Sequence, residues 1–110
     1  MGLFNLTRTP VYIDSLYIVD WIFKQQKELS IPMTDELIQL YLFQLSNMLV
    51  RRISGLNNAL QEAVFIEARE LVLQLPINGK ASTITKLERQ IIEAFKTRRF
   101  KTWLQLSQLY

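Results

Sequence analysis

The stretch TDELIQLYLFQLSNMLVRRIS, residues 34–54, decides the fold of this chain of 110 residues. Its apolar side chains recur every three or four positions, a spacing that places residues on one face of an α-helix. The main stripe and the residues that widen it are Ile38, Leu42, Leu45, Leu49 and Ile53, then Leu37, Leu40, Tyr41, Phe43 and Met48. A helix that is apolar around most of its circumference needs cover on several sides. The stretch therefore predicts the central helix of a bundle, covered by neighbouring segments, with a second copy of the chain as a further source of cover.

The residues at the two ends of this stretch predict where the central helix begins and stops. Thr34 suits the N-cap position, because its hydroxyl can accept a hydrogen bond from an N–H group of the first turn. Arg51 and Arg52 fall in the last turn, where positive charge is favourable at the negative end of the helix dipole. Gly55 predicts a left-handed stop directly after the helix.

The first two thirds of the chain contain signals for two more helices in a single domain, residues 1–110. A first helix should follow a leader of residues 1–9 and run from about residue 10 to residue 29, with Thr9 and Pro10 at its start. A third helix should begin after Asn57 or Asn58 and end before the proline at position 76.

The last third of the chain predicts a loop and one or two helices. Residues 76–82 read as the loop, and Thr83 or Thr85 then opens a fourth helix, with Glu88 at the capping-box spacing from Thr85. The basic and aromatic C-terminal segment, residues 96–110, contains a short final helix that Thr102 should cap. It either continues the fourth helix or folds back. The fold class that follows is an all-α bundle of four to five helices.

The composition agrees with a helical domain, and together with the start of the chain it favours a cytoplasmic location. Hydrophobic residues make up 49% of the chain, with only 3 Gly and 3 Pro, which argues against disorder and against a turn-rich β fold. No window of ~20 apolar residues is present, so we expect no membrane contact. The start of the chain lacks the pattern of a secretory signal, and we expect a cytoplasmic protein.

The residue types needed for most enzymatic chemistry are missing. Cysteine and histidine are both absent, which removes thiolate chemistry, the commonest general base and the commonest transition-metal ligand. Glu67 and Glu70 have the spacing of a carboxylate pair, but we interpret them as a solvated acidic edge of the third helix. We therefore expect no catalytic residue, no metal, no cofactor and no small-molecule substrate, and we interpret the protein as a non-enzyme.

Positive charge is concentrated in the last third of the chain. Residues 1–78 carry six Lys or Arg against eight Asp or Glu, whereas residues 79–110 carry seven against two. The cations of a candidate nucleic-acid face are Lys86, Arg89, Lys96, Arg98, Arg99 and Lys101. Clustered cations neutralise phosphates, and Phe100 and Trp103 can stack on bases. A nucleic-acid-binding regulator or ribonucleoprotein subunit is therefore the alternative function, and a merely solvated basic face is the competing interpretation.

The chain has more large apolar residues than helices of this length easily cover. Exposed apolar clusters usually mark association surfaces. The candidates, which lie off the main stripes or near the C-terminus, are Trp21, Phe65, Phe100, Trp103, Leu106 and Tyr110. The leading hypothesis is a small protein-interaction module that forms a homodimer and acts as a regulator, adaptor or assembly factor.

Overall fold

The computed structural model describes residues 14–76 and 83–110, and within these two ranges the chain forms five helices and no strand. The helices are Asp14–Glu28 (α1), the consecutive segments Asp35–Phe43, Gln44–Met48 and Leu49–Ile53 (together α2), Asn58–Val72 (α3), Lys86–Lys96 (α4) and Phe100–Leu109 (α5). The predicted all-α class is confirmed. Among the described residues, no helix is both long and apolar enough to cross a membrane. The predicted leader, the start at Thr9 and Pro10, and the loop from residue 77 to 82 lie outside the described residues.

The central helix α2 is continuous, but its middle turn is wider than an α-helical turn. Thr34 caps it as predicted, since the Thr34 hydroxyl accepts a hydrogen bond from the N–H of Leu37 at 3.2 Å. The segment from residue 44 to 48 is π-helical, and within it the Ser46 hydroxyl donates to the carbonyl of Leu42. A π turn contains an extra residue and so rotates the side chains that follow it around the helix axis. The apolar spacing gave no indication of this turn.

The prediction that Gly55 forms a left-handed stop was wrong. Among the described residues, positive φ angles occur only at Ser30 (54°) and Arg98 (56°). The helix α2 instead ends in a turn in which the N–H of Leu56 donates to the carbonyl of Ile53 at 2.9 Å. This turn satisfies the end of the helix without a positive φ, so the glycine is not needed for its conformation.

Side-chain caps begin α3 and α4 where the sequence predicted them. The Asn57 side chain accepts a hydrogen bond from the N–H of Leu60 at 2.9 Å, so Asn57 rather than Asn58 is the cap. At α4, the Thr85 hydroxyl accepts from the N–H of Glu88 at 3.1 Å, and the Glu88 carboxylate accepts from the N–H of Thr85 at 2.7 Å. This reciprocal pair is the predicted capping box.

The chain reverses between α4 and α5, so the final helix folds back. Arg98 has a left-handed φ of 56°, and the N–H groups of Arg98 and Arg99 donate to the carbonyls of Phe95 (3.2 Å) and Ala94 (2.9 Å). This is the Schellman arrangement, in which glycine usually occupies the left-handed position. The reversal puts Arg99 at the N-cap position of α5. The predicted cap at Thr102 was therefore wrong.

The helices α2 and α5 run antiparallel, and two hydrogen bonds fix their register. The Tyr110 hydroxyl donates to the carbonyl of Gln39 at 3.4 Å, near the start of α2. The Asn47 side-chain amide donates to the carbonyl of Ser107, also at 3.4 Å, near the middle of α2. The start of α5 consequently lies beside the end of α2. Residues 35–53 extend about 28 Å at 1.5 Å per residue, so the two ends of the α2–α5 pair are far apart.

The core combines the central apolar stripe with an aromatic cluster between α3, α4 and α5. The predicted stripe of α2 is buried over its whole length, at Ile38, Leu42, Leu45, Leu49 and Ile53. In the aromatic cluster, the Phe65 ring stacks on that of Phe95 with centroids 5.2 Å apart and lies 5.2 Å from that of Trp103. The Phe100 ring packs at the edge of this cluster, 5.6 Å from Phe65.

A buried glutamine fixes the turn between α1 and α2. The Gln26 side chain accepts a hydrogen bond from the Tyr41 hydroxyl at 2.8 Å and donates one to the carbonyl of Ile31 at 3.1 Å. Tyr41 is fully buried, its ring lies 4.6 Å from that of Phe23, and burial raises the pKa of its hydroxyl. Because both ends of the Gln26 amide are satisfied, this polar residue stabilises the core instead of weakening it.

Candidate interaction surfaces

An open apolar groove of about 600 Å³ lies where the start of α2, the start of α4 and the end of α5 meet. We call this surface the apolar groove. Its lining consists of Glu36, Gln39, Leu40, Phe43, Thr85, Leu87, Glu88 and Tyr110. Leu40 is 46% exposed and Phe43 is 36% exposed, and Leu109, next to Tyr110 in the chain, is 75% exposed. Apolar side chains from helices that are distant in the sequence thus form one accessible surface.

A buried carboxylate forms the polar part of this groove. The Glu88 carboxylate accepts hydrogen bonds from the N–H of Thr85 at 2.7 Å, the side-chain amide of Gln39 at 3.1 Å and the hydroxyl of Tyr110. Desolvation by burial raises the pKa of Glu88, but these hydrogen bonds lower it by more, so the net pKa is below the usual value. Burial and the Glu88 carboxylate together raise the pKa of Tyr110. The network fixes the three helices that form the groove.

Cations from two separate parts of the sequence lie at the opposite end of the α2–α5 pair. The antiparallel packing places the last turn of α2 beside the turn that precedes α5. We call this surface the basic end, and its cations, all of them exposed, are Arg51, Arg52, Lys96, Arg98, Arg99 and Lys101. Arg51 and Arg52 were not among the predicted nucleic-acid residues, because only the folded register brings them to this end.

Two of the predicted nucleic-acid residues lie elsewhere. Lys86 and Arg89 are in the first half of α4, close to the apolar groove. Lys86 is about 15 Å along the helix from Lys96, at 1.5 Å per residue. The predicted basic face is therefore divided between the two ends of α4, and its larger part belongs to the basic end.

Two of the predicted interface residues are inside the monomer. Phe65 and Trp103 are both 0% exposed, since each packs against the rings of Phe95 and Phe100 in the aromatic cluster. Their burial was not predicted, because in the sequence they lie off the main apolar stripes or near the C-terminus. They do not contribute to the surface of the described chain.

The other four predicted interface residues reach the surface to different extents. Trp21 is 61% exposed on α1, whereas Phe100, Leu106 and Tyr110 are half-buried. Tyr110 lines the apolar groove, while Leu106 lines a smaller cavity of about 280 Å³ between α4 and α5. The sequence therefore indicated one residue of the groove, and Leu40 and Phe43, which also line it, were missing from its candidates.

The predicted acidic edge of α3 was wrong at Glu67. This residue is only 2% exposed, because position 67 follows the buried Val64 by three residues and precedes the buried Leu71 by four. Glu70 is half-buried. Within the described ranges, no cluster of three or more potential ligand side chains could hold a metal ion.

A further cavity, of about 400 Å³, lies between the α1–α2 turn and the end of α3. Its lining consists of Phe23, Gln26, Lys27, Ser30, Ile31, Met33, Gln74 and Pro76. The polar atoms of Gln26 in this lining already have partners, and Ile31, at 46% exposed, is its most accessible large apolar residue. The apolar groove displays more exposed apolar side chains and is the stronger candidate for binding another protein.

Comparison of the chain with protein-family models, curated proteins and solved structures gave no significant match in any of the three. The described part of the molecule is a small all-α bundle with an apolar groove at one end of its central helix pair and a basic end at the other.

Proposed function

We propose that this protein is a small non-enzymatic interaction module that associates with a second copy of itself through the apolar groove and serves as a regulator, adaptor or assembly factor. The observation that supports this most directly is the exposure of Leu40 and Phe43 on α2, the helix that is otherwise the centre of the core. In this proposal, a second molecule covers these two residues.

The energetics of burial favour such association. Burying a leucine or phenylalanine side chain completely is worth about 1.5–3 kcal/mol, so covering a half-exposed Leu40 or Phe43 contributes about 1 kcal/mol each. Leu109, the chain neighbour of the groove residue Tyr110, is three-quarters exposed, and its burial in the same interface would add a similar or larger contribution. Polar residues such as Glu36 at the edge supply the hydrophilic rim that is typical of specific interfaces.

A second copy is a suitable occupant because a two-fold interface uses the same surface on both molecules. In such a dimer, each copy covers the exposed Leu40 and Phe43 of the other. A stable interface usually buries about 800 Å² on each partner, about one eighth of the 6482 Å² surface of the monomer. The interface therefore has to include the neighbouring faces of α2 and α5 as well as the groove.

Sedimentation velocity of the whole chain over a range of concentrations tests this proposal. We expect the wild-type protein to form dimers at tens of micromolar, and we expect Leu40→Glu to shift the equilibrium towards monomer, because a carboxylate in an apolar interface must be desolvated. Leu73→Glu is a matched control: Leu73 is also 46% exposed but lies at the end of α3 and is not part of the groove lining.

Two outcomes would contradict the proposal. The first is a wild-type protein that stays monomeric at the highest concentration it tolerates. The second is equal dissociation by Leu40→Glu and Leu73→Glu, which would place the contact elsewhere. Circular dichroism of both variants verifies that each remains folded.

We further infer a cytoplasmic location. The chain contains no cysteine, so its stability does not depend on disulfides or on an oxidising compartment. Expression with a C-terminal fluorescent tag, followed by fractionation, tests this inference, and recovery of the tagged protein outside the cytoplasm would contradict it.

A further inference from the structure

We propose that the basic end binds the sugar–phosphate backbone of nucleic acid. This surface is separate from the apolar groove, and the proposal does not rest on self-association. It is carried by the placement of two cation clusters, one at the end of α2 and one at the α4–α5 turn, which the antiparallel register of α2 and α5 brings to the same end of the molecule.

Cations outnumber acidic residues in the segments of α2, α4 and α5 that form this end. Six exposed cations stand there, and the acidic neighbour on the same part of α4 is Glu93, which lines a small cavity together with Arg99. Four of the six cations are arginines, whose planar guanidinium groups can form paired hydrogen bonds to phosphate oxygens. Such a concentration of positive charge attracts a polyanion and neutralises several phosphates at once.

The side chain of Arg98 lies at the tip of the α4–α5 turn because of the backbone conformation there. Arg98 occupies the left-handed position of the Schellman turn, with φ 56°, where glycine is the residue with the lowest backbone cost. An arginine here keeps a charged side chain at the tip of the α4–α5 turn in spite of that cost.

The surroundings favour phosphate contacts over contacts to bases. Trp103 is fully buried, so its ring cannot stack on a base, and the half-buried Phe100 ring is partly used inside the aromatic cluster, where it packs on Phe65 at 5.6 Å. Binding through cations alone is independent of nucleotide sequence.

The surroundings also favour nucleic acid over a membrane surface. Helices that bind membranes place large apolar side chains beside their cations. The large apolar residues that are exposed in the described chain are Ile18, Trp21, Leu29, Ile31, Leu40, Phe43, Leu73 and Leu109. None of them belongs to the last turn of α2 or to the α4–α5 turn.

Fluorescence anisotropy with a labelled DNA duplex of mixed sequence tests this proposal on the whole chain at several salt concentrations. We expect a Kd of about 10⁻⁴–10⁻⁶ M that weakens with salt, with a slope of log K against log salt of about −0.9 for each phosphate neutralised. Arg51→Ala combined with Arg98→Ala should reduce that slope by about 1.8. The control, Lys27→Ala combined with Lys86→Ala, removes the same charge at the other end and should leave the slope unchanged.

A second pair of variants separates binding from folding. Arg98→Gly and Ser30→Gly both place glycine at a left-handed position, where it is well tolerated. We expect Arg98→Gly to weaken duplex binding about threefold or more and Ser30→Gly to leave it unchanged. Equal effects of the two variants would overturn the proposal.

The remaining outcomes also decide the question. The proposal is overturned by no binding at low salt, by equal losses in the two double-alanine variants, or by a strong preference for one duplex sequence. It is equally overturned if polyglutamate or phosphatidylserine vesicles bind as tightly as the duplex, since the ligand would then be an acidic protein or a membrane. Tighter binding to the duplex than to either competitor supports it.

Discussion

The hydroxyl of Tyr110 donates a hydrogen bond to the carboxylate of Glu88, a residue 22 positions earlier in the chain and on the neighbouring helix. The same carboxylate completes the capping box that begins α4. One side chain therefore both starts α4 and holds the end of α5 against it. Because Tyr110 also contacts Gln39 on α2, this pair joins the three helices that form the apolar groove.

Replacing Tyr110 by phenylalanine should destabilise the protein. The variant loses the hydrogen bond to a charged carboxylate, which is worth about 1.5–3 kcal/mol. Glu88 keeps its bonds to Thr85 and Gln39, so we expect the free energy of unfolding to fall by about 1–2 kcal/mol. Urea denaturation followed by circular dichroism measures this change, and a loss below about 0.5 kcal/mol, the range of ordinary surface substitutions, would contradict the role assigned to the pair.

The same pair should make stability depend on pH in two ranges. The pKa of Glu88 is lower in the folded state than in the unfolded state, so its contribution is complete above the unfolded pKa and is lost as the pH falls through the folded pKa. The pKa of Tyr110 is raised above its usual 10.0, so its contribution is complete below about pH 10 and is lost as the pH rises further.

Urea midpoints measured from acidic to alkaline pH test this dependence. Relative to wild type, Tyr110→Phe should lose stability at a higher pH on the acid side, because Glu88 has lost a hydrogen bond that lowers its pKa. It should also lack the tyrosine contribution on the alkaline side. Parallel curves for wild type and variant across the whole range would show that the Tyr110–Glu88 pair does not control the titration.

Truncation of the two tryptophans should change the stability of the protein by very different amounts. Trp103→Ala removes a fully buried side chain from the aromatic cluster, and we expect it to lower the free energy of unfolding by about 3–5 kcal/mol. Trp21→Ala removes a side chain that is 61% exposed and should change stability by no more than about 0.5 kcal/mol. Thermal melts of the two variants check this, and similar losses would place Trp21 in an interface or Trp103 outside the core.

Gly55→Ala should be tolerated and slightly stabilising. Gly55 does not have a positive φ, and a Cβ built at this position has no atom within 4 Å. The alanine therefore reduces the freedom of the unfolded chain without strain, which should add about 0.4–1 kcal/mol to the free energy of unfolding. Chemical denaturation measures the effect, and a marked loss of stability would indicate that glycine is required at this position.

The sequence was sufficient to predict the helices because their signals are local. Thr34 caps α2, and Thr85 pairs with Glu88, in arrangements that depend on residues within one helical turn. The apolar stripe of α2 likewise encodes its own burial. Features of this kind do not require knowledge of how the helices pack.

The candidate surfaces could be predicted only in part because they depend on the tertiary register. Trp103 was expected at an interface because it lies in a terminal, basic segment, but the reversal at Arg98 turns it into the core. Arg51 belongs to the basic end only because α5 packs antiparallel to α2. Leu40 was recognised as apolar, but its exposure depends on which sides of α2 the other helices cover.

The opposite placement of the apolar groove and the basic end, about 28 Å apart along α2, has a consequence for avidity. A dimer joined through its two grooves would carry its two basic ends, its phosphate-binding poles, facing away from each other. Once one pole had attached to a long polymer, attachment of the other would be intramolecular, and such bivalent binding can exceed the affinity of a single pole by about 10²–10⁴. Oligonucleotides too short to span both poles would not gain this advantage, so polymer length would become a determinant of occupancy.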